Sequence, residues 1–206
     1  MSQPRIGILV SGRGSNMVAL LDAMADGRVG ATPGLVLSND PTAPALEKAA
    51  ARGVTARGID HRGFAGDRVA FDTALLSALQ AASVDIVVLA GFMRIMTPVM
   101  IAPWRGRMLN IHPSLLPAFK GLDTHARARA AGCAILGCTV HEVIEDLDAG
   151  HILGQAATSV RPGESIAALD TRIRALEHRL YPAVLSAFLR DADALRQNPI
   201  ALFDHG

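Results

Sequence analysis

The sequence predicts an α/β fold, a Rossmann-like doubly wound sheet that is mostly parallel with an antiparallel hairpin in its C-terminal half. Short apolar runs alternate with amphipathic segments in the first half of the chain, which is typical of parallel strands joined by crossover helices. In the second half, one short acidic loop separates two strand-like runs, at residues 136–143 and 152–156. A connection of that length favours antiparallel pairing.

Three strand and helix pairs account for the first half of the chain. Arg5–Val10 is an apolar run, and apolar residues then recur at helical spacing from Met17 to Met24. A strand at residues 34–37 precedes a helix that ends near Gly53. An amphipathic helix between residues 67 and 82 leads to an apolar run at 85–90, which predicts a strand buried on both faces.

The second half departs from this regular alternation. A helix is predicted to start at Thr97 and Pro98, followed by a strand at Met108–His112 and a loop rich in Pro and Gly at 113–121. A last helix is predicted over residues 165–180, and Pro182 is expected to kink or divide it before Arg190. The whole chain, 1–206, is expected to form a single domain, because half of its residues are hydrophobic and no linker interrupts it.

Composition argues against several classes of partner. The net charge is +1. The protein therefore lacks the strong positive potential that attracts the phosphate backbone of a nucleic acid. The apolar runs are too short for a spanning helix or a signal peptide, and we therefore expect a cytoplasmic protein without a membrane partner.

Cys133 and Cys138 lack metal-ligand spacing and are expected to be buried thiols. His125, His141 and His151 match no zinc motif, so no metal is predicted.

A Gly-Arg-Gly-Ser-Asn turn at residues 12–16 connects the first strand to the first helix. Free N–H groups and the helix dipole suit an anion at this position. The motif is incomplete as a dinucleotide fingerprint, since Met17 replaces its third glycine, and the P-loop lysine is missing. A phosphate site and a plain turn capped by Ser15 or Asn16 both remain open.

Asn110 and His112 are two residues apart on one strand, so their side chains lie on the same face. An amide donor beside an imidazolium suits the oxyanion that forms in acyl transfer. A satisfied polar pair at a strand end is the alternative. The loop containing Glu145, Asp146 and Asp148 is either a solvated turn or, if it folds over the strand end, a source of a carboxylate that orients His112.

The run Met-Leu-Asn-Ile-His-Pro-Ser-Leu-Leu-Pro at 108–117 resembles the signature of the folate-dependent formyltransferases. Further motifs at 12–16, 90–96, 121–125, 139–141, 146–148 and 177–178 occur in the order of the members that formylate glycinamide ribonucleotide. The resemblance implies formyl transfer from 10-formyltetrahydrofolate to that ribonucleotide in purine synthesis. It thus implies two small-molecule partners, a folate cosubstrate among them.

The resemblance also implies roles for individual residues. Asn110, His112 and Asp148 would be catalytic, with His112 as proton donor and Asp148 supporting its charged form. The residues implied to bind the ribonucleotide are Gly14, Ser15, Asn16, Arg68, Arg174, Ala175, Leu176 and Glu177. The residues implied to bind the folate are Met93, Arg94, Ile95, Met96, Asn110, Ile144, Glu145, Asp146, Leu147 and Asp148.

Four positions depart from the pattern of the family: Lys120, Asp123, Glu142 and His151. None has an implied catalytic role, and Glu142 is expected to face solvent. Related enzymes that formylate methionyl-tRNA or hydrolyse formyltetrahydrofolate share the three catalytic residues but carry an extra domain, which 206 residues do not accommodate. The incomplete glycine motif disfavours an NAD oxidoreductase, and the complete catalytic trio disfavours a non-catalytic folate-binding module. Monomer and homodimer remain open.

Overall fold

A computed structural model describes residues 3–204, and the first of its two units, which ends at Asn110, is built on a parallel sheet. Its strands are β1 (Arg5–Val10), β2 (Thr32–Ser38), β3 (Ala56–Gly58), β4 (Ile86–Leu89) and β5 (Met108–His112), the last of which continues into the second unit. Their order is β3-β2-β1-β4-β5, and every neighbouring pair is parallel. The helices are α1 (Ser15–Ala25), α2 (Pro44–Ala50), α3 (Arg68–Ala81) and α4 (Pro98–Ile101), with 3₁₀ turns at His61–Phe64 and Ala102–Trp104.

The central strands of this unit are apolar on both faces. All four residues of β4 are buried, as the uninterrupted apolar run predicts. Helix α3 packs closely on β1 at Gly7, where a Cβ atom would lie 2.6 Å from Leu79 Cδ2. Glycine at this position therefore lets the helix approach the sheet.

The second unit begins at Ile111, within β5, and contains the hairpin. Its further strands are β6 (Ile135–Glu142), β7 (Ile152–Ser159) and β8 (Ile200–Asp204), in the order β5-β6-β7-β8. The β6–β7 pair is antiparallel and the β7–β8 pair is parallel. The helices are α5 (Thr124–Ala130), α6 (Ile166–Arg190) and α7 (Ala192–Gln197).

The predicted fold class, a mostly parallel sheet with an antiparallel hairpin, is confirmed. Pro182 was expected to kink or divide the last helix, and division is wrong, since α6 continues through it over 25 residues. Pro182 is buried, and Tyr181, Val184 and Leu185 around it are fully buried as well. Tertiary packing of this kind outweighs the one backbone hydrogen bond that proline removes.

Four short elements, β3, α5, α7 and β8, have no counterpart in the sequence prediction. Each has seven residues or fewer, which is too short for a clear periodicity. Within residues 3–204, none of the helices has both the length and the apolar character needed to cross a bilayer.

Candidate active site

The imidazole of His112 lies at the end of β5 and is 6% exposed. Its Nδ1 atom is 3.4 Å from Asp148 Oδ2, and its Nε2 atom donates to the Phe119 carbonyl oxygen at 3.0 Å. An acceptor thus faces each ring nitrogen, an arrangement that matches an imidazolium, which donates from both. The structure therefore brings together two of the three residues with implied catalytic roles.

Asp148 reaches His112 because the acidic loop folds over the end of β5. Its backbone is in the left-handed region, with φ of 47°, a conformation that aspartate tolerates better than most residues. Its Oδ2 atom also accepts a hydrogen bond from the Gly121 N–H at 2.9 Å. The solvated-turn alternative thus does not describe Asp148, whose side chain is buried.

His141, on β6, is a further histidine at this position that the sequence prediction did not include among the site residues. Its Nδ1 donates to the Glu142 carbonyl at 2.8 Å, and its Nε2 lies 3.8 Å from Asp148 Oδ1. Burial lowers the pKa of His141 below its ordinary value, and the hydrogen bond to the Glu142 carbonyl and the charge of Asp148 offset this only in part. His141 is therefore neutral at neutral pH. The Thr-Val-His motif at 139–141 was the available signal.

A polar network fixes the loop that carries the Phe119 carbonyl. Thr139 Oγ1 donates to the Ser114 carbonyl at 2.7 Å and accepts from the Leu116 N–H at 3.0 Å. Gln155 Nε2 donates to the Leu116 carbonyl at 2.9 Å. These bonds tie the loop after β5 to the hairpin, and so they hold the acceptor that faces His112 Nε2.

Arg174 and Glu177, on one face of α6, line a cavity of about 340 Å³. His125 and Asp170, which are hydrogen-bonded to each other, line the same cavity. The neighbouring Ala175 is exposed and Leu176 is buried. Arg174 and Glu177 thus place a guanidinium and a carboxylate on the wall of one cavity.

The Gly-rich turn leads directly into α1. Gly14 has φ of 70°, and a Cβ there would lie 2.7 Å from Ala45 Cβ, so glycine is required. Lys48 Nζ donates to the Arg13 carbonyl at 2.7 Å and holds the turn against α2. Ser15 and Asn16 form the first turn of α1, and Arg68 is the exposed first residue of α3. The first unit therefore contains the N-terminus of α1, at Ser15 and Asn16, and the exposed guanidinium of Arg68.

The first of the two segments implied to bind folate, Met93 to Met96, lies in the first unit. Its backbone is tied to the Gly-rich turn by Ser11, whose Oγ accepts from the Met93 N–H at 2.7 Å and donates to Asn39 Oδ1 at 2.5 Å. Met93 and Ile95 are 69% and 63% exposed. Exposed apolar side chains of this kind are available to a flat ring.

The second segment, Ile144 to Asp148, lies in the second unit and exposes Leu147, Glu145 and Asp146. Glu142, two residues before this segment, was expected to face solvent but does not. Its carboxylate pairs with Arg196 at 2.5 Å, and its side chain is 13% exposed.

Among the described residues, no group of three or more His, Cys, Asp or Glu is placed to hold a metal ion. Cys133 and Cys138 are free thiols, half-buried and buried respectively.

Comparison with known proteins identifies relatives over most of the chain. The formyl transferase family matches residues 4–185. The phosphoribosylglycinamide formyltransferase of Escherichia coli is 39% identical over 183 residues, which are 89% of this chain and 86% of that protein. The human trifunctional purine biosynthetic protein adenosine-3 is 42% identical over 94% of this chain. The chain spans only 19% of the length of that trifunctional protein.

Solved structures give the same result. The glycinamide ribonucleotide transformylase 1 of Symbiobacterium toebii has a TM-score of 0.89 and 43% identity, covering 91% of this chain and 88% of that one. The phosphoribosylglycinamide formyltransferase of Brucella melitensis has a TM-score of 0.86 and 44% identity, covering 91% and 96%.

Proposed function

Since the chain belongs to the formyl transferase family, we propose that it transfers a formyl group from 10-formyltetrahydrofolate to the amine of glycinamide ribonucleotide. The products are the N-formyl ribonucleotide and tetrahydrofolate. The observation that carries the proposal is the buried His112–Asp148 pair, which lies at the end of the strand that also presents Asn110. The names of the relatives support the choice of acceptor.

The reaction needs an oxyanion to be stabilised and a proton to be moved. The amine attacks the formyl carbon, a C–N bond forms, and the carbonyl oxygen becomes an oxyanion, to which the Asn110 amide donates. His112 delivers its Nε2 proton to the folate nitrogen as the bond from that nitrogen to the formyl carbon breaks. Nδ1 faces Asp148, so Nε2, which donates to Phe119 in this structure, is the nitrogen free to exchange its partner for substrate. The proton released by the amine restores His112.

The two substrates need different surroundings. In the proposal, Gly14, Ser15 and Asn16 bind the ribonucleotide phosphate together with Arg68, because a helix N-terminus and a guanidinium suit an anion. The glycinamide end is bound by Glu177 and the helical turn from Arg174 to Leu176. The folate lies along residues 93–96 and 144–148. The N-terminal half thus serves the phosphate and the C-terminal half serves catalysis and most of the folate. Cytoplasmic location and a monomeric or homodimeric state remain predictions.

Asn110→Ala tests the oxyanion assignment. We expect kcat to fall on the order of 10²–10³-fold with smaller changes in KM, because one donor to the oxyanion is lost. Formyl transfer is followed by the appearance of tetrahydrofolate in the presence of the ribonucleotide. Asn198→Ala, an exposed asparagine just after α7, is the matched control and should leave kcat unchanged. Full turnover in Asn110→Ala would remove this residue from the mechanism.

Arg68→Ala tests the phosphate assignment. The KM for the ribonucleotide should rise on the order of tenfold while the KM for the folate stays constant, since a charge-assisted contact to phosphate is lost. Arg28→Ala, which removes another exposed arginine of the first unit, is the control. An effect confined to the folate KM would reverse the assignment of the two binding regions.

A further inference from the structure

The loop that carries Asp148 is fastened at its first end by an ion pair with α7. Arg196 places Nη2 2.5 Å and Nε 3.0 Å from Glu142 Oε1, so one carboxylate oxygen receives two charged hydrogen bonds. Both side chains are largely buried, at 28% and 13% exposed. The hydrogen bond that Arg196 donates to the Glu142 carboxylate is the largest cause of the raised pKa of Arg196. A pair of this kind is stronger than an exposed one.

The other end of the loop is fastened to the same residue. His151 Nε2 donates to the Arg196 carbonyl at 2.8 Å, and the Glu142 N–H donates to the His151 carbonyl at 2.9 Å. Arg196 therefore holds both Glu142 and His151, which pair with each other across the base of the loop.

The contacts continue from Glu142 towards His112. The Glu142 carbonyl accepts from His141 Nδ1 at 2.8 Å, and His141 Nε2 lies 3.8 Å from Asp148 Oδ1. Asp148 in turn faces His112 and accepts from the Gly121 N–H. Every step from Arg196 to His112 is thus a polar contact of 3.8 Å or less.

We propose that Arg196 is a positioning residue, whose guanidinium acts through Glu142 to keep the 143–150 loop closed and Asp148 at His112. The inference rests on the proposed function only where it concerns formyl transfer. Its structural part can be tested without substrate. If the contact at the base of the loop is lost, residues 143–150 open and Asp148 moves away from His112. The Gly121 N–H then loses its hydrogen-bond acceptor.

The test is hydrogen exchange of individual backbone amides in the ligand-free protein. Arg196→Gln should speed exchange of Gly121 and of residues 143–150 on the order of tenfold, the effect of losing charged hydrogen bonds. Asp193→Asn is the matched control. Asp193 binds the same guanidinium at 2.6 Å but is 85% exposed and does not touch the loop. Its replacement should leave Gly121 exchange unchanged.

Glu142→Gln removes the same ion pair from its other side and provides a second variant. If the pair acts as a unit, each single variant and the double variant give the same acceleration at Gly121, whereas independent effects would multiply. Faster exchange confined to residues 192–197, with Gly121 protected as before, would show that the pair anchors only α7 and would overturn the proposal.

Kinetics then separate the inference from the proposed function. Arg196→Gln should lower kcat/KM for the folate by a factor similar to the change in Gly121 exchange, and Arg196→Lys should recover part of it because the charge is retained. Accelerated exchange in a protein whose unsubstituted form transfers no formyl group would leave the positioning role intact and refute the proposed function alone.

Discussion

The side chain of Asp148 connects three parts of the candidate active site. One carboxylate faces His112, accepts from Gly121 and lies near a second histidine, His141. Its left-handed backbone limits the replacements that test it, because alanine at a φ of 47° is strained whereas asparagine is tolerated. Asparagine also retains an oxygen that accepts from the Gly121 N–H.

Asp148→Asn is therefore the informative change at this position. The carboxylate that faces His112 Nδ1 becomes a neutral amide, so kcat at neutral pH should fall on the order of 10²-fold or more. Steady-state formyl transfer with both substrates saturating measures kcat. Asp26→Asn, which changes an exposed carboxylate of the first unit, is the control and should leave kcat unchanged. Full turnover in Asp148→Asn would show that the reaction does not need the charge of this carboxylate.

At the scale of elements, the β6–β7 hairpin supports the site, and its close packing depends on glycine. A Cβ at Gly137 would lie 1.9 Å from the Ala156 carbonyl oxygen and 2.8 Å from Leu115 Cδ2. Leu115 belongs to the loop after β5, so the close approach also brings that loop to the hairpin. A backbone carbonyl cannot move aside as a flexible side chain can.

Gly137→Ala should destabilise the protein by about 1–3 kcal/mol or more, as overpacking of a close contact does. Urea unfolding measures the change in free energy. Gly30→Ala is the matched control, because no atom lies within 4 Å of its Cβ position and its φ is not positive. Equal stability of the two variants would mean that the hairpin has room at Gly137.

Elements with a clear pattern could be predicted from the sequence, and contacts across long separations could not. Met108–His112 matches the structure residue for residue, because its apolar run ends at a proline. Glu142 was expected at the surface, since a single sequence does not show that Arg196, 54 positions later, meets it. The same holds for His141, whose proximity to Asp148 depends on how the loop folds.

For the whole molecule, the buried His141 and the half-buried His178 connect stability to pH. Burial lowers the pKa values of His141 and His178, and His178 Nε2 is buried without a hydrogen-bond partner among residues 3–204. The unfolded chain takes up protons at these positions near pH ~6.5, where the folded protein does not. Stability therefore falls as pH drops through that value, and the loss levels off below the lowered pKa values of the folded state.

His178→Gln should reduce this acid sensitivity, because one of the two depressed groups no longer titrates. The free energy of unfolding, measured from pH 8 to pH 5, should fall less steeply in the variant than in the parent. His61→Gln, on a histidine with one ring nitrogen bonded to the Asn39 carbonyl at 2.8 Å, is the control. Identical slopes in His178→Gln and the parent would assign the acid loss to other groups.

In the proposed reaction, the formyl group passes to an amine acceptor and is not released to water. The decisive experiment incubates the protein with 10-formyltetrahydrofolate, with and without glycinamide ribonucleotide, and follows both tetrahydrofolate and the formylated ribonucleotide. The two products should appear in equal amounts and only when the ribonucleotide is present. Release of formate at the same rate without the ribonucleotide would show that the protein hydrolyses the folate and does not formylate an amine.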